Sequence, residues 1–241
     1  MSETEAWRFK YNEISETASA KYKRKESGLS LIITKATLGR LPVYLDFLKK
    51  QNTEYISSTL IARSLDLGEV LVRKDLNSVC GLGKPKVGYD RQKLIESILN
   101  TLGVDKNISA IIVGAGKLGT ALLGYRGFSE YGVDIKAAFD NDPKKIDQTF
   151  TNGKKIYSID SIKEYCELND IKIGIIAVPQ SEAQAVCDKM IECNIRAIWN
   201  LTTYSLVIPD NVIVKNENLA LSLSFLKTCM LRNEGADRAV R

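Results

Sequence analysis

Two groups of residues in this 241-residue chain have types and spacing suited to chemistry, and in both the chemistry is binding. The first is Gly114-Ala115-Gly116-Lys117-Leu118-Gly119, with glycines spaced Gly-x-Gly-x-x-Gly. The first glycine permits a tight bend, the second lets backbone approach a pyrophosphate, and the third lets a helix pack on a strand. The pyrophosphate then rests on unpaired N–H groups at the positive end of the helix dipole. Asp140 stands 21 residues beyond Gly119, close to the roughly 20 at which a carboxylate accepts from a ribose 2′-hydroxyl. Such a carboxylate repels a 2′-phosphate and favours NAD(H) over NADP(H). Lys144 and Lys145 weaken that preference without reversing it.

The second group is cationic. Arg73 and Lys74 are adjacent, and Lys84 and Lys86 sit in the glycine-rich segment Cys80 to Tyr89. By themselves Arg73 and Lys74 fit a solvated helix face as well as a nucleic-acid contact. The charge distribution favours contact: residues 1–107 hold 18 Lys/Arg against 13 Asp/Glu, whereas residues 108–241 hold 16 of each. All of the net +5 therefore precedes the glycine motif, which points to duplex DNA.

The elements that must position these groups follow from periodicity. Leu38, Leu41, Leu45 and Leu48 share a helical face between Thr34 and Lys50, which Pro42 is expected to kink or restart. Ser57 or Ser58 caps a short helix ending near Leu65, and Asp66-Leu67-Gly68 turns into a third helix from Glu69 to about Val79. Val70, Val72, Leu76 and Val79 form its apolar stripe. Helix, tight turn and helix is the arrangement of a DNA-reading helix-turn-helix, with Ser57, Arg73 and Lys74 on its contact side. Lys84, Lys86 and Gly88 lie in a β-hairpin wing along the phosphates. Arg91 to Leu102 is a linking helix stopped by Gly103.

Beyond it, Ser109 to Val113 reads as a buried strand entering the glycine turn. A helix patterned by Leu118, Ala121, Leu122 and Tyr125 follows, then a strand from Asp134 to Phe139. Strands over Ile156–Ile159, Ile171–Val178, Arg196–Asn200 and Val212–Val214 alternate with helices through Leu168 and over Ser181–Cys193. That alternation gives a doubly wound parallel sheet, with Val178, Pro179 and Asn200 at strand carboxyl ends where such sheets bind ligands. The last helix, Leu219 to Leu231, is apolar on more than one face and should be buried, with a second subunit as a natural cover. The expected organisation is a mobile polar arm over 1–28 and a winged helix-turn-helix over 29–105. A nucleotide-binding sheet domain over 106–215 and a dimerisation helix over 216–241 complete it. The arm's Lys21-Tyr22-Lys23-Arg24-Lys25 cluster reads as a solvated tail or as a phosphate contact.

Composition excludes several alternatives. The chain contains no histidine, which removes His-based catalysis and argues against zinc. Five scattered cysteines with no Cys-x-x-Cys read as small core residues, one redox-reactive thiol being the alternative. No apolar run reaches the roughly 18 residues of a membrane span, and the amino terminus is unlike a secretory signal, so a cytoplasmic location is expected. An NAD-dependent oxidoreductase needs a positioned acid or base, and the one Tyr-x-x-x-Lys, Tyr89 to Lys93, precedes the cofactor motif. No catalytic role is assigned.

From Lys35 onward the chain resembles the redox-sensing transcriptional repressors called Rex. The resemblance is carried by Arg40-Leu41-Pro42-x-Tyr44, Val72-Arg73-Lys74-Asp75-Leu76 and Lys84-x-x-Val87-Gly88-Tyr89. It continues through Val113-Gly114-Ala115-Gly116-x-Leu118-Gly119, Ala138-Phe139-Asp140-x-Asp142-Pro143 and Gly174-Ile175-Ile176-Ala177-Val178-Pro179. It implies a homodimer with a winged helix-turn-helix, a Rossmann-like domain and a carboxy-terminal helix swapped between subunits. It further implies a pseudo-palindromic operator bound when NADH is low relative to NAD⁺ and released by NADH. Arg73 and Lys74 take the operator, Lys84 and Gly88 its backbone, and Gly114–Gly119, Asp140, Val178 and Pro179 the cofactor. Arg40, Tyr125, Leu201 and Asn218 fall at positions linking domains. The chain departs from the family at Leu71 (usually Gln), Leu201 (usually Phe) and Asn218 (usually an acid that pairs with Arg40 near Tyr125). The departure at Leu71 bears on the operator sequence, and those at Leu201 and Asn218 leave open a repressor that grips DNA whatever the nucleotide.

Overall fold

The computed structural model describes residues 22–23, 32–150 and 152–239. The arm expected over 1–28 lies outside them except at β1 (Tyr22–Lys23), which pairs antiparallel with β2 (Ile32–Ile33). The basic cluster is therefore described only at Tyr22 and Lys23. Two compact units make up the chain: one runs through Asp105 and includes the segment from Lys227, the other is Lys106–Leu226.

In the first unit, α1 (Lys35–Lys49) is capped by Thr34, whose Oγ1 accepts from the Thr37 N–H at 3.1 Å. Of the two outcomes expected at Pro42, a restart does not occur: the helix passes through it. Leu41, Tyr44, Leu45 and Leu48 are all buried, and this packing on both sides of the proline outweighs one lost backbone hydrogen bond. β3 (Tyr55–Ile56) leads into α2 (Ser58–Ser64), and the turn at Asp66–Gly68 delivers α3 (Glu69–Cys80). Val72, Leu76 and Val79 face the core as expected, but Val70 is 56% exposed and does not belong to the stripe. β4 (Tyr89–Asp90) pairs antiparallel with β3, and Asp90 caps α4 (Arg91–Leu102), which ends in left-handed Gly103.

The second unit is built on a six-stranded parallel sheet. β5 (Ile108–Val113), α5 (Lys117–Gly124), β6 (Val133–Asp140), β7 (Ile156–Ser158), α6 (Ile162–Asn169) and β8 (Ile173–Ile176) come first. α7 (Ala183–Glu192), β9 (Ala197–Asn200) and β10 (Ile213–Asn216) complete it, and α8 (Leu219–Ala239) starts in this unit and belongs to the first from Lys227 on. The spatial order is β10-β9-β8-β5-β6-β7. Counting from β5 that is 3-2-1-4-5-6, a doubly wound sheet whose order reverses between β5 and β8. On β5, Ala110 and Ile112 join one apolar cluster and Ile111 and Val113 the other, so both faces of the central strand are covered.

One expectation needs correction. The inner face of α5 is Gly119 and Leu123, with Leu122 half-buried, while Leu118 and Tyr125 are exposed. A glycine faces the turn because the helix comes so close that a Cβ at Gly119 would collide with the Gly114 carbonyl. Separately, the apolar side chains of α8 are not covered within this chain, Leu219, Leu221, Leu223, Leu226 and Met230 all being more than half exposed, which leaves them available to the expected second subunit.

Candidate DNA interface and nucleotide cleft

Each of the two units carries its own site. In the helical unit, Arg73 and Lys74 are exposed on α3, while Asp75, the next residue, is 3% exposed and points inward. Asp75 accepts from Arg40 Nε at 2.6 Å and Arg40 Nη2 at 2.8 Å. Tyr44 Oη donates to it at 2.7 Å and Thr37 Oγ1 at 2.9 Å. This network joins α1 to α3 and fixes how α3 presents its cations. Desolvation works against the Arg40 charge, but the hydrogen bonds and field of Asp75 prevail and raise its pKa above the ordinary value. The Arg40 guanidinium is thereby engaged inside its own unit. Asp75 was missed as an anchor in the sequence; its place on the buried side of α3, four residues before the core residue Val79, was the available signal.

Ser57 Oγ caps α2 by accepting from the Leu60 N–H at 3.1 Å, so this exposed residue has a structural task of its own. The wing is a tight turn more than a hairpin. The Lys84 N–H donates to the Gly88 carbonyl at 2.8 Å and the Gly88 N–H to the Lys84 carbonyl at 2.9 Å. Gly88 lies at φ +98°, and a Cβ there would run into the Ile56 backbone. Lys84 Nζ stands 5.4 Å over the Tyr55 ring, and Lys84 and Lys86 are both exposed.

In the sheet unit a cleft of about 480 Å³ opens at the carboxyl ends of β5, β6 and β8. Gly114, Gly116, Asp140, Val178 and Pro179, all expected, are brought together on its wall. Asn141, Lys145, Glu182 and Lys189 also line it and were not assigned from the sequence. Asn141 and Lys145 follow the end of β6 by one and five residues, which was the usable signal; Glu182 and Lys189 come from the segment after β8 and from α7. Gly114 lies at φ +102°, and a Cβ there would strike the Ala177 carbonyl, where the chain leaving β5 passes the end of the neighbouring strand β8. Gly116 differs: a Cβ would meet nothing within 4 Å, so open space lies at the head of α5. Backbone N–H groups at that position lack intrahelical partners. Space and donors together fit a pyrophosphate.

Asp140 is 7% exposed, and most of its acceptor capacity is engaged. Oδ2 accepts from the Ala115 N–H at 2.8 Å and Lys145 Nζ at 3.0 Å, and Oδ1 from the Asp142 N–H at 2.9 Å. Burial pushes its pKa up, but these donors outweigh burial and hold the carboxyl below its ordinary value. A carboxylate offers about four acceptor sites, so about one remains for a ribose hydroxyl. The Ala115 N–H, in the expected cofactor-binding turn, is engaged by Asp140. Lys117 and Leu118 are exposed in the first turn of α5, and Gly119 is a packing residue. Asn200 is not on the cleft wall. It is fully buried, with Nδ2 donating to the Tyr204 carbonyl and Asn216 Oδ1 and with Oδ1 accepting from the Thr202 N–H and Oγ1. Its amide is saturated by the protein, which corrects its assignment to cofactor.

Tyr125 is 60% exposed and meets Phe128 edge-on at 5.1 Å; Phe128 in turn meets Trp199 at 5.9 Å. Leu201 is half-buried in the same cluster. Asn218 caps α8, its Oδ1 accepting from the Ala220 and Leu221 N–H groups at 3.1 and 3.2 Å. An acid would cap equally well, so that role survives the departure. Cys166, Cys187 and Cys193 are buried. Burial pushes the Cys187 thiol up to about 11 and, with Cys193 beside it, the Cys166 thiol to about 12. Among the described residues no group of three or more His, Cys, Asp or Glu is placed to hold a metal, and no helix is long and apolar enough to cross a membrane.

Comparison with known proteins covers both units. Residues 32–77 match the family model "Putative DNA-binding protein N-terminus", and residues 105–204 match "CoA binding domain". The redox-sensing transcriptional repressor Rex of Treponema denticola is 41% identical, over 79% of this chain and 92% of its own length. That of Clostridium acetobutylicum is 36% identical, over 86% of this chain and 97% of its own. A crystal structure of RSP with β-NAD⁺ and operator DNA aligns with a TM-score of 0.77 at 30% identity, covering 86% of this chain and 97% of that one. The β-NADH complex of RSP gives 0.77 at 29% identity, over 87% and 99%.

Proposed function

The chain belongs to the Rex family of redox-sensing transcriptional repressors, and from that footing we propose that it binds operator DNA through the helical unit and is released by NADH bound in the sheet unit. The family acts by binding, and no reaction is assigned to the cleft. The observation that carries the reading is the open space at Gly116 beside a carboxylate held ionised, in the same chain as an exposed cationic helix. The Gly114–Gly119 turn and the start of α5 hold the pyrophosphate, and the free acceptor site of Asp140 takes a ribose hydroxyl. Val178 and Pro179 line the wall beyond. NADH acts here as a ligand, its redox state read through whether it binds.

Arg73 and Lys74 supply operator contacts on α3, and Lys84, Lys86 and the Gly88 turn lie along phosphate. A pseudo-palindromic operator calls for two copies of α3. The uncovered apolar side chains of α8 supply the surface for a homodimer, with that helix exchanged between subunits. A cytoplasmic location goes with access to the operator. Coupling is a population shift: NADH releases DNA only by binding more tightly to the dimer geometry that mismatches the two half-sites. A tenfold change in operator affinity needs about 1.4 kcal/mol of such differential binding. The uncharged nicotinamide of NADH enters an apolar pocket at lower cost than the NAD⁺ cation.

The test is operator titration. A duplex selected from a randomised pool is bound by the full chain, then challenged with NADH and with NAD⁺. Release by NADH at concentrations where NAD⁺ is silent is expected. Equal effects of the two nucleotides would contradict the sensing role, and Leu201 and Asn218 would then mark a nucleotide-blind repressor.

A further inference from the structure

α3 has two kinds of apolar residue. Val72 and Leu76 are fully buried, and Val79 nearly so. Val70 and Leu71 are not: they are 56% and 39% exposed, at the second and third positions of the helix. Core packing explains the first group and leaves the second unexplained. A DNA-reading helix presents its N-terminal residues to base edges in the major groove. At those two positions this chain has no Asn, Gln, Arg or Lys to pair with a base; it has a valine and a leucine. The one apolar group on a base edge in the major groove is the C5-methyl of thymine.

We propose that Val70 and Leu71 are specificity-determining residues that contact thymine methyl groups, with Leu71 making the larger contact, so that each half-site carries thymine where the start of α3 meets the bases. This rests on the DNA-binding reading above. Charge on the same helix identifies the occupant: Arg73 and Lys74 are exposed beyond the apolar pair, and Lys84 and Lys86 are exposed on the wing of the same unit. Duplex DNA matches that combination of cations around an apolar pair. The cations anchor the backbone in any sequence; the two aliphatic side chains discriminate. Thr59 Oγ1 donates to Glu69 Oε1, tying α2 to the first residue of α3, directly before Val70 and Leu71.

The experiment removes one methyl at a time. A tight duplex is selected from a randomised pool with the full-length chain, then resynthesised with deoxyuridine replacing each thymidine in turn. The parent should lose about fourfold in affinity at one or two positions per half-site, the loss that corresponds to one buried methyl. Leu71→Ala should bind the thymidine duplex more weakly and show no further loss with deoxyuridine at the position Leu71 contacts. Val70→Ala should do the same at a neighbouring position. Both sites are exposed and alanine favours helix, so thermal unfolding should be unchanged. The salt dependence of binding, which counts phosphate contacts, should also be unchanged. Indifference of the parent to every deoxyuridine would overturn the assignment, as would an undiminished methyl effect in both variants. Failure to enrich any duplex would instead overturn the DNA-binding reading, and the assignment with it.

Discussion

Asp75 and Asp140 are both nearly buried carboxylates that accept three or more hydrogen bonds, yet they belong to different kinds of region. Asp75 is enclosed by side-chain donors: Arg40 from two nitrogens, Tyr44 and Thr37, all on α1. Asp140 is held mostly by backbone, the N–H groups of Ala115 and Asp142, with Lys145 as the one side chain. The first arrangement fills the carboxylate's capacity and points away from solvent. The second leaves about one acceptor site on the wall of a cleft and ties the glycine turn to the strand end beside it. Burial and a high count of donors do not by themselves separate a structural anion from a ligand-holding one. The source of the donors and the capacity left over do.

Substitutions should separate the two. Asp75→Asn leaves Arg40 buried without its counter-charge, and unfolding of the helical unit should become easier by about 3–5 kcal/mol. Denaturant titration checks this, and nucleotide affinity should stay within about twofold. Asp140→Asn should do the opposite. An amide has one acceptor oxygen for donors on both sides, so its NH₂ must face an N–H. NADH affinity should fall about tenfold, roughly 1.4 kcal/mol, by calorimetry, with a smaller change in unfolding. A larger effect of Asp140→Asn on stability than on binding would erase the distinction.

Acid gives a milder version. The Asp140 pKa is below its ordinary 3.8, so its contribution is complete above 3.8 and is lost as pH falls through the lower folded value. NADH affinity followed down from about pH 6 should hold steady and then drop only below the ordinary carboxylate range. The smallest effect is expected at Lys145, which neutralises Asp140 on the cleft wall. Lys145→Met should widen the preference for NADH over NADPH by a few-fold, about 1 kcal/mol or less, since an unneutralised carboxylate repels a 2′-phosphate more strongly.

What was legible in the sequence follows the same division. α4 was recovered to the residue, because Asp90 caps it and Gly103 ends it in a left-handed turn. The glycine turn and Asp140 were legible because short-range spacing dictates them. Arg40–Asp75 was not, since 35 residues separate the partners and only folding brings them together. Asn200 was misread because a position at a strand end says where a side chain starts but not what satisfies it. Its four hydrogen bonds come from the loop after β9 and from β10. At Pro42 local propensity allows a restart that the leucines and Tyr44 packed around it prevent. The apolar surface of α8 was legible as apolar, but what covers it lies outside one chain.

The most direct measurement of the account is nucleotide-driven release from DNA by the parent and by Gly116→Val. A Cβ at Gly116 meets nothing within 4 Å and its φ is not one that strains a side chain, so the variant should fold with little change in stability. It should bind the selected duplex as the parent does, lose at least about tenfold in NADH affinity from the steric block, and stay on the duplex at NADH concentrations that clear the parent. Release of the variant at the parent's NADH concentration would contradict the claim that the cleft at the glycine turn governs the grip of the helical unit on DNA.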